Sequence, residues 1–331
     1  MKSISRCVVC LLCLFAAMEL RADVIIQMTT IGNAGNADDL AWEGNPDTTV
    51  DDIWLGGVDY DYQISTYEVT VAQYTEFLNA VAASDPNGLY NEYMGSTAFG
   101  GAFIIRSGED GSYTYAAVEG KENNPVCLVS FYDACRFCNW LANGQGAGST
   151  ETGSYTLADG YTLSRTATAT WVLPTEDEWY KAAYYDPETD TYSTYPNGSD
   201  DVPAEPTDGA TPREMNFGDD PYWNPDGGSR EYFTQIGETT GCSAYGVYDI
   251  GGNVAEWTET FEPSNYRVIR GGGLFDHASA LSVTGQDPAD PTTEGDGFGF
   301  RVAYIIPEPS TVALLFLGLL GCAWSWVRRR M

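Results

Sequence analysis

Three stretches of the chain repeat apolar residues at helical spacing, each behind a polar start signal. Thr70-Val71-Ala72-Gln73 reads as a capping box, and Tyr74, Phe77, Leu78 and Val81 follow on one face. Ser130 to Asp133 offers a second start, with Ala134, Phe137, Trp140 and Leu141 behind it. Thr175-Glu176-Asp177-Glu178 is a third capping box, ahead of Trp179, Ala182 and Ala183. Its acids complement the positive end of a helix dipole, a commoner role for such a cluster than catalysis. Elsewhere the pattern shortens to strands over Tyr60 to Ile64, Phe103 to Ile105, Tyr113 to Val118, Arg267 to Arg270 and Phe298 to Ala303, with turn residues crowded between them. There is no internal repeat and no long low-complexity tract, so these elements predict one large, irregular α+β domain with a few helices and much loop.

Two further apolar runs lack an amphipathic period. Cys7 to Ala17 is apolar all round, follows Lys2 and Arg6, and leads to a small residue, Ala22, before Asp23. That is the order of a secretory signal over residues 1–22. Thr311 to Val327 is uncharged, largely apolar and closed by Arg328, Arg329 and Arg330. It lies at the short end of what spans a bilayer, with its arginines on the cytoplasmic side. The expected organisation is a signal over 1–22, a domain over 23–304 and a sorting tail over 305–331 that holds the membrane span 311–327.

Six of the 16 basic residues lie in the two ends, against two of the 47 acidic ones, so the exported part is more acidic than the net charge of −31 suggests. Such a surface repels nucleic acid and anionic lipid, and suits divalent cations or simple solubility. Outside the ends four cysteines remain, Cys127, Cys135, Cys138 and Cys242. In an oxidising compartment they permit one or two disulfides, with three full pairings open. A single histidine, His277, and the lack of a second close cysteine pair disfavour zinc.

Pro307-Glu308-Pro309, followed by one short hydrophobic span and the arginines 328 to 330, resembles the PEP-CTERM sorting signal of Gram-negative bacteria. An ordinary tail anchor needs no such tripeptide. The resemblance implies recognition by an exosortase, export across the inner membrane and a transient anchor there. The destination it implies is the periplasmic face, the cell surface or the extracellular matrix.

Six segments, in order, carry a second resemblance. They are Tyr67-Glu68-Val69-Thr70 with Tyr74 and Phe77; Pro125-Val126 through Ser130 to Cys138-Asn139-Trp140-Leu141; Leu173 to Trp179; Gly246 to Trp257; Arg267 to Gly273; and Gly297-Phe298-Gly299-Phe300-Arg301. Together they resemble the sulfatase-modifying-factor family, which includes formylglycine-generating enzymes, from about residue 55 to 304. The fold implied is that family's loop-rich variant of the C-type-lectin fold. Also implied is a structural calcium ion on the loop Asp249 to Glu256, held by the Asp249 and Glu256 side chains and the carbonyls of Gly252 and Val254. Calcium takes several oxygens, and the glycine pair 251 and 252 permits the tight turn. A second family calcium site would fall on Asn216 and the carbonyl of Phe217, with Asp226 as a candidate acid.

Formylglycine-generating enzymes bind copper through two cysteines just after the segment matching Gly271-Gly272-Gly273. In this chain those positions are Asp276 and Leu281. Neither replaces a thiolate, and no cysteine stands between Cys242 and Cys322, so copper chemistry is not expected. The glycine triplet itself is expected to allow close backbone packing, since no Gly-Lys-Ser/Thr follows it. The leading expectation is an exported, non-catalytic, calcium-stabilised domain that binds a glycan, an exopolysaccharide or other matrix component, or a protein. The alternative is an enzyme with altered chemistry in the Asp276/His277 pocket, with Ser279 nearby. Phe275, His277, Trp257 and Tyr266 would suit ligand contact there.

Overall fold

All three capping boxes form. Thr70 accepts from the Gln73 amide while the Gln73 side chain accepts from that of Thr70, opening α1 (Val71–Val81). Ser130 and Asp133 do the same for α2 (Phe131–Ala142), and Thr175 and Glu178 for α3 (Glu176–Tyr184). Helix α1 packs on α2 through an aromatic cluster in which Tyr74 and Phe77 meet Phe137 and Trp140 at centroid distances of 5.4 to 6.2 Å. The structure, a computed structural model, describes residues 23–43, 52–96, 103–204, 215–218, 233–262 and 265–306. The expected signal segment and the tail from Pro307 onward, with its membrane span, lie outside the described residues. Among the described residues no helix is long and apolar enough to cross a membrane.

Among the described residues fourteen short strands complete the irregular α+β arrangement. They are β1 (Met28–Ile31), β2 (Asp39–Trp42), β3 (Ile53–Leu55), β4 (Tyr62–Ser65), β5 (Ile104–Ser107), β6 (Thr114–Ala117), β7 (Trp171–Val172), β8 (Tyr185–Asp186), β9 (Thr191–Tyr192), β10 (Ala255–Glu262), β11 (Tyr266–Arg270), β12 (Gln286–Ala289), β13 (Phe298–Gly299) and β14 (Ala303–Ile305). One sheet runs β1-β4-β14-β7 and a second β12-β11-β10-β13, with hairpins β2-β3, β5-β6 and β8-β9 beside them.

The single strand expected over Phe298 to Ala303 is in fact two. The chain leaves β13, parallel to β10, and reaches β14 in the other sheet through Phe300, Arg301 and Val302, all wholly buried. Strand β10 is buried on both faces from Ala255 to Glu259. Its polar side chains are matched inside: the Thr258 hydroxyl donates to the Val268 carbonyl, Glu256 pairs with Arg301, and Glu259 pairs with Arg165. All four cysteines of the described domain are free thiols, and Cys127, Cys135 and Cys138 are buried in the core, so the structure contains none of the disulfides that were open from the sequence.

Burial pushes the Asp133 carboxyl up to about 7, because Arg136 gives its close bonds to Glu151 and reaches Asp133 only at 3.7 Å. The folded chain therefore keeps a proton that the unfolded chain loses near 3.8. This contribution to stability is complete below that value and disappears as pH rises through about 7. Asp133→Asn is expected to remove this component. Melting temperatures of both proteins, measured between about pH 5 and pH 8, check it; parallel profiles would count against the assignment.

Candidate functional site

The loop after Tyr248 begins with Asp249 in the left-handed region at φ 51° and returns there at Gly252, φ 81°. A Cβ on Gly252 would lie 2.4 Å from the Asn216 carbonyl oxygen, so only glycine allows the segment 215–218 to approach. Asn253 fastens the two together. Its amide donates to the Asn216 carbonyl at 2.7 Å, and its Oδ1 accepts from Asn216 Nδ2 at 3.1 Å. The structure thus brings Asn216 to the 249–256 loop. Phe217 is buried with Met215 and Leu281, and Asp226 lies outside the described residues.

The two expected carboxylate ligands have different surroundings. Asp249 accepts from the Gly237 amide at 2.6 Å and from the Thr239 hydroxyl at 2.7 Å, one bond to each oxygen, which leaves lone pairs on both. Glu256 faces the Arg301 guanidinium with both oxygens, at 2.6 and 2.7 Å, and also accepts from the Trp179 indole at 2.7 Å. It clamps β10 to the Phe300–Val302 crossing and to α3. Beside it, Glu68 is buried, with Oε2 near Asn253 Nδ2 at 3.4 Å and no partner for Oε1 among the described residues. Burial, then Asp249 and Glu256, push the Glu68 carboxyl well up. Of these three buried acids only Glu256 bonds the guanidinium. Among the described residues no three His, Cys, Asp or Glu side chains are arranged to hold a metal, so a cation here would draw most of its oxygens from the backbone.

The other expected site opens where β11 ends. The chain turns through Gly271 (φ 88°) and Gly272 (φ 63°), where a Cβ would lie 3.0 Å from the Ile250 carbonyl oxygen and 2.9 Å from Ala280 Cβ respectively. The turn is closed by Asp276 Oδ2, which accepts from the Gly273 amide at 2.7 Å. Asp276 lines a cavity of about 300 Å³ together with Arg270, Gln286, Asp287 and Phe298. Leu281 points the other way: it is wholly buried against Met215 and Phe217.

The residue that shares this cavity with Asp276 is Asp287, not His277. Register places Asp287 opposite Ile269, and burial, then the Asp276 charge, push its carboxyl up. His277 and Ser279 are exposed and do not line the cavity. Trp257, expected at the pocket, is a core residue whose indole donates to the Val129 carbonyl at 3.0 Å. Tyr266 also stands off the cavity wall, while Phe275 is exposed next to Asp276. The acids of α3 do more than face the helix dipole. Glu176 pairs with Arg270, Asp177 accepts from the Gly56 amide, and Glu178 pairs with Arg165.

The family model for the sulfatase-modifying factor enzyme 1-like domain matches residues 43–306, and that for the PEP-CTERM protein-sorting motif matches 306–330. No curated protein matches. Among solved structures the chain is similar to the Treponema denticola variable protein 1, at 21% identity over 84% of this chain and 94% of that one, with a TM-score of 0.51. It is likewise similar to CarF, at 19% identity over 86% and 99% of the two chains, with a TM-score of 0.54. At these identities the likeness shows the fold alone. That fold is the loop-rich one expected from the ordered motifs.

Proposed function

The chain belongs to the sulfatase-modifying factor enzyme 1-like family and carries a PEP-CTERM motif for export and exosortase-type sorting, and from that premise we propose that its domain is a non-catalytic ligand-binding module. The observation that carries this reading is Leu281. At the position where the family resemblance puts the second thiolate stands a wholly buried aliphatic side chain, and at the first stands Asp276, which is free to line a cavity. The residues do not suit a copper-thiolate centre, whereas two carboxylates and the Gln286 amide around a cavity suit a ligand rich in hydroxyl or amino groups. A glycan or matrix polymer outside the inner membrane meets that description. Asp276→Asn is expected to lower affinity about tenfold or more for the ligand found in a glycan and peptide screen, the loss of a charge-assisted hydrogen bond. Binding unchanged by Asp276→Asn would move the site elsewhere, and turnover abolished by it would replace the binding reading with an enzymatic one.

We also propose calcium as a structural partner of the 249–256 loop. The fit is partial. Asp249, with the carbonyls of Gly252 and Val254, remains as a ligand set, while Glu256 serves as the clamp on Arg301. The orphaned Glu68 oxygen, in a buried carboxyl beside Asp249 and Glu256, favours a bound cation. Calcium at a hundredfold excess over its Kd is expected to stabilise the protein by about 2.7 kcal/mol, a rise of several degrees in Tm. Calorimetry showing neither heat of binding nor a Tm shift would reject it.

A further inference from the structure

We infer that the binding groove extends beyond the Asp276 cavity into a second lobe built around Trp42, and that the two lobes together take a linear oligosaccharide, neutral or amino-bearing. This rests on the ligand-binding reading above. The second cavity, about 360 Å³, is lined by Trp42, Ile53, Leu55, Val283 and Thr284, and shares Arg270 and Gln286 with the first. Trp42 lies just ahead of the residues that the family model matches, so this lobe is built in part from outside the family pattern.

The two lobes differ in chemistry. The first holds Asp276, Asp287 and the edge of Phe298; the second is mostly apolar, with half of Trp42 open to solvent. Between them the shared residues play separate parts. Arg270 is a fixed wall, its guanidinium spent on Glu176 and on the carbonyls of Val283 and Gly285. Gln286 is half-buried, and its side-chain amide makes no hydrogen bond within the described residues, leaving donors and acceptors at the junction. A sugar unit presents an apolar C–H face to an indole and hydroxyls at its edge to an amide or carboxylate, so a chain of such units fits an aromatic lobe followed by a polar one. Charge narrows the class: two acids in the groove and a net charge of −31 repel acidic polymers and attract amino sugars.

The test uses the purified full-length chain in detergent, with chitosan and N-acetylchitosan oligomers of two to six units and a polygalacturonate hexamer as the acidic control. Affinity is expected to rise at least tenfold from dimer to hexamer for one or both of the first two, with the acidic hexamer weakest. Trp42→Ala is expected to cancel most of that gain, and Gln286→Ala to lower hexamer affinity severalfold. Trp42 is half exposed, so its replacement should leave the melting temperature within about a degree, which the same samples check. Length-independent binding, or a hexamer indifferent to Trp42→Ala, overturns the two-lobe inference and leaves the Asp276 site standing. Preference for the acidic hexamer, or binding of an extended peptide with the same length dependence and of none of the sugars, overturns the ligand class.

Discussion

Replacing Arg301 with methionine is expected to destabilise the domain by about 3–5 kcal/mol, the penalty for leaving a buried charge without its partner. That is a large share of the roughly 5–15 kcal/mol that holds a typical domain together. The side chain is wholly buried, meets Glu256 with both ends of its fork, and donates to the carbonyls of Ser65 at 2.9 Å and Tyr248 at 3.1 Å. Once it is gone, Glu256 is left buried beside Glu68 and Asp249, two acids whose carboxyls burial already pushes up and which supply no counter-charge. The double variant Glu256→Gln/Arg301→Met is expected to recover part of the loss, because it removes the uncompensated charge together with its counterion. Urea denaturation of the parent, the two single variants and the double variant supplies the cycle. An Arg301→Met protein within about 1 kcal/mol of the parent would show that the pair does not close this part of the core.

Arg165→Met is expected to have a comparable effect and to reverse a pH dependence. Arg165 bonds both oxygens of Glu178 at 2.9 Å, reaches Glu259 at 2.5 Å and donates to the Leu173 carbonyl. Burial alone would raise the Glu178 carboxyl, but Arg165, with the Tyr60 hydroxyl and the Thr175 amide, outweighs it and holds the group below its ordinary 4.5. A folded-state value below the unfolded one contributes stability above about pH 4.5 that is lost as the pH falls. Without Arg165 the desolvation is opposed only by the Tyr60 and Thr175 hydrogen bonds, so the variant should gain stability on acidification where the parent loses it. Denaturation at pH 7.5 and near pH 4 should show the gap between the two proteins narrowing in acid, by a cost of about 3–5 kcal/mol at the neutral end. A constant gap would mean that Glu178 keeps its charge by other means.

The helices were legible because their signals are local: a hydroxyl, an acid or amide three residues on, and a stripe of apolar residues behind. The centre of the second sheet was not. In β10 every residue from Ala255 to Glu259 is buried although Glu256, Thr258 and Glu259 are polar; the two acids are matched by Arg301 and Arg165, distant in sequence, so nothing local marks the strand as central. The same reasoning explains the break within Phe298 to Ala303, where continuous burial hides a change of sheet. Asp276 and Leu281 were identified by their positions, yet Asp287 reaches the same cavity only through the register of β12 on β11. Pairing of that kind is set by the whole sheet, and a lone acid before Pro288 carries no local trace of it. Glu68 lies in the Tyr67–Thr70 segment with no local sign of a role; its burial beside Asp249 and Glu256 is a tertiary fact.

The last strand, β14, lies between β4 and β7, antiparallel to both, and the Ile305 amide still donates to the Thr170 carbonyl at 2.8 Å. The matched sorting motif begins at the next residue, 306. Tension applied through that tail therefore meets two hydrogen-bonded ladders loaded lengthwise, not an edge that can be peeled away. The incoming chain enters β1 beside Ser65 and the outgoing one leaves β14 beside Tyr62, at opposite ends of the same strand β4. A domain held by its tail is thus loaded at one end of this sheet, opposite the end at which β1 begins.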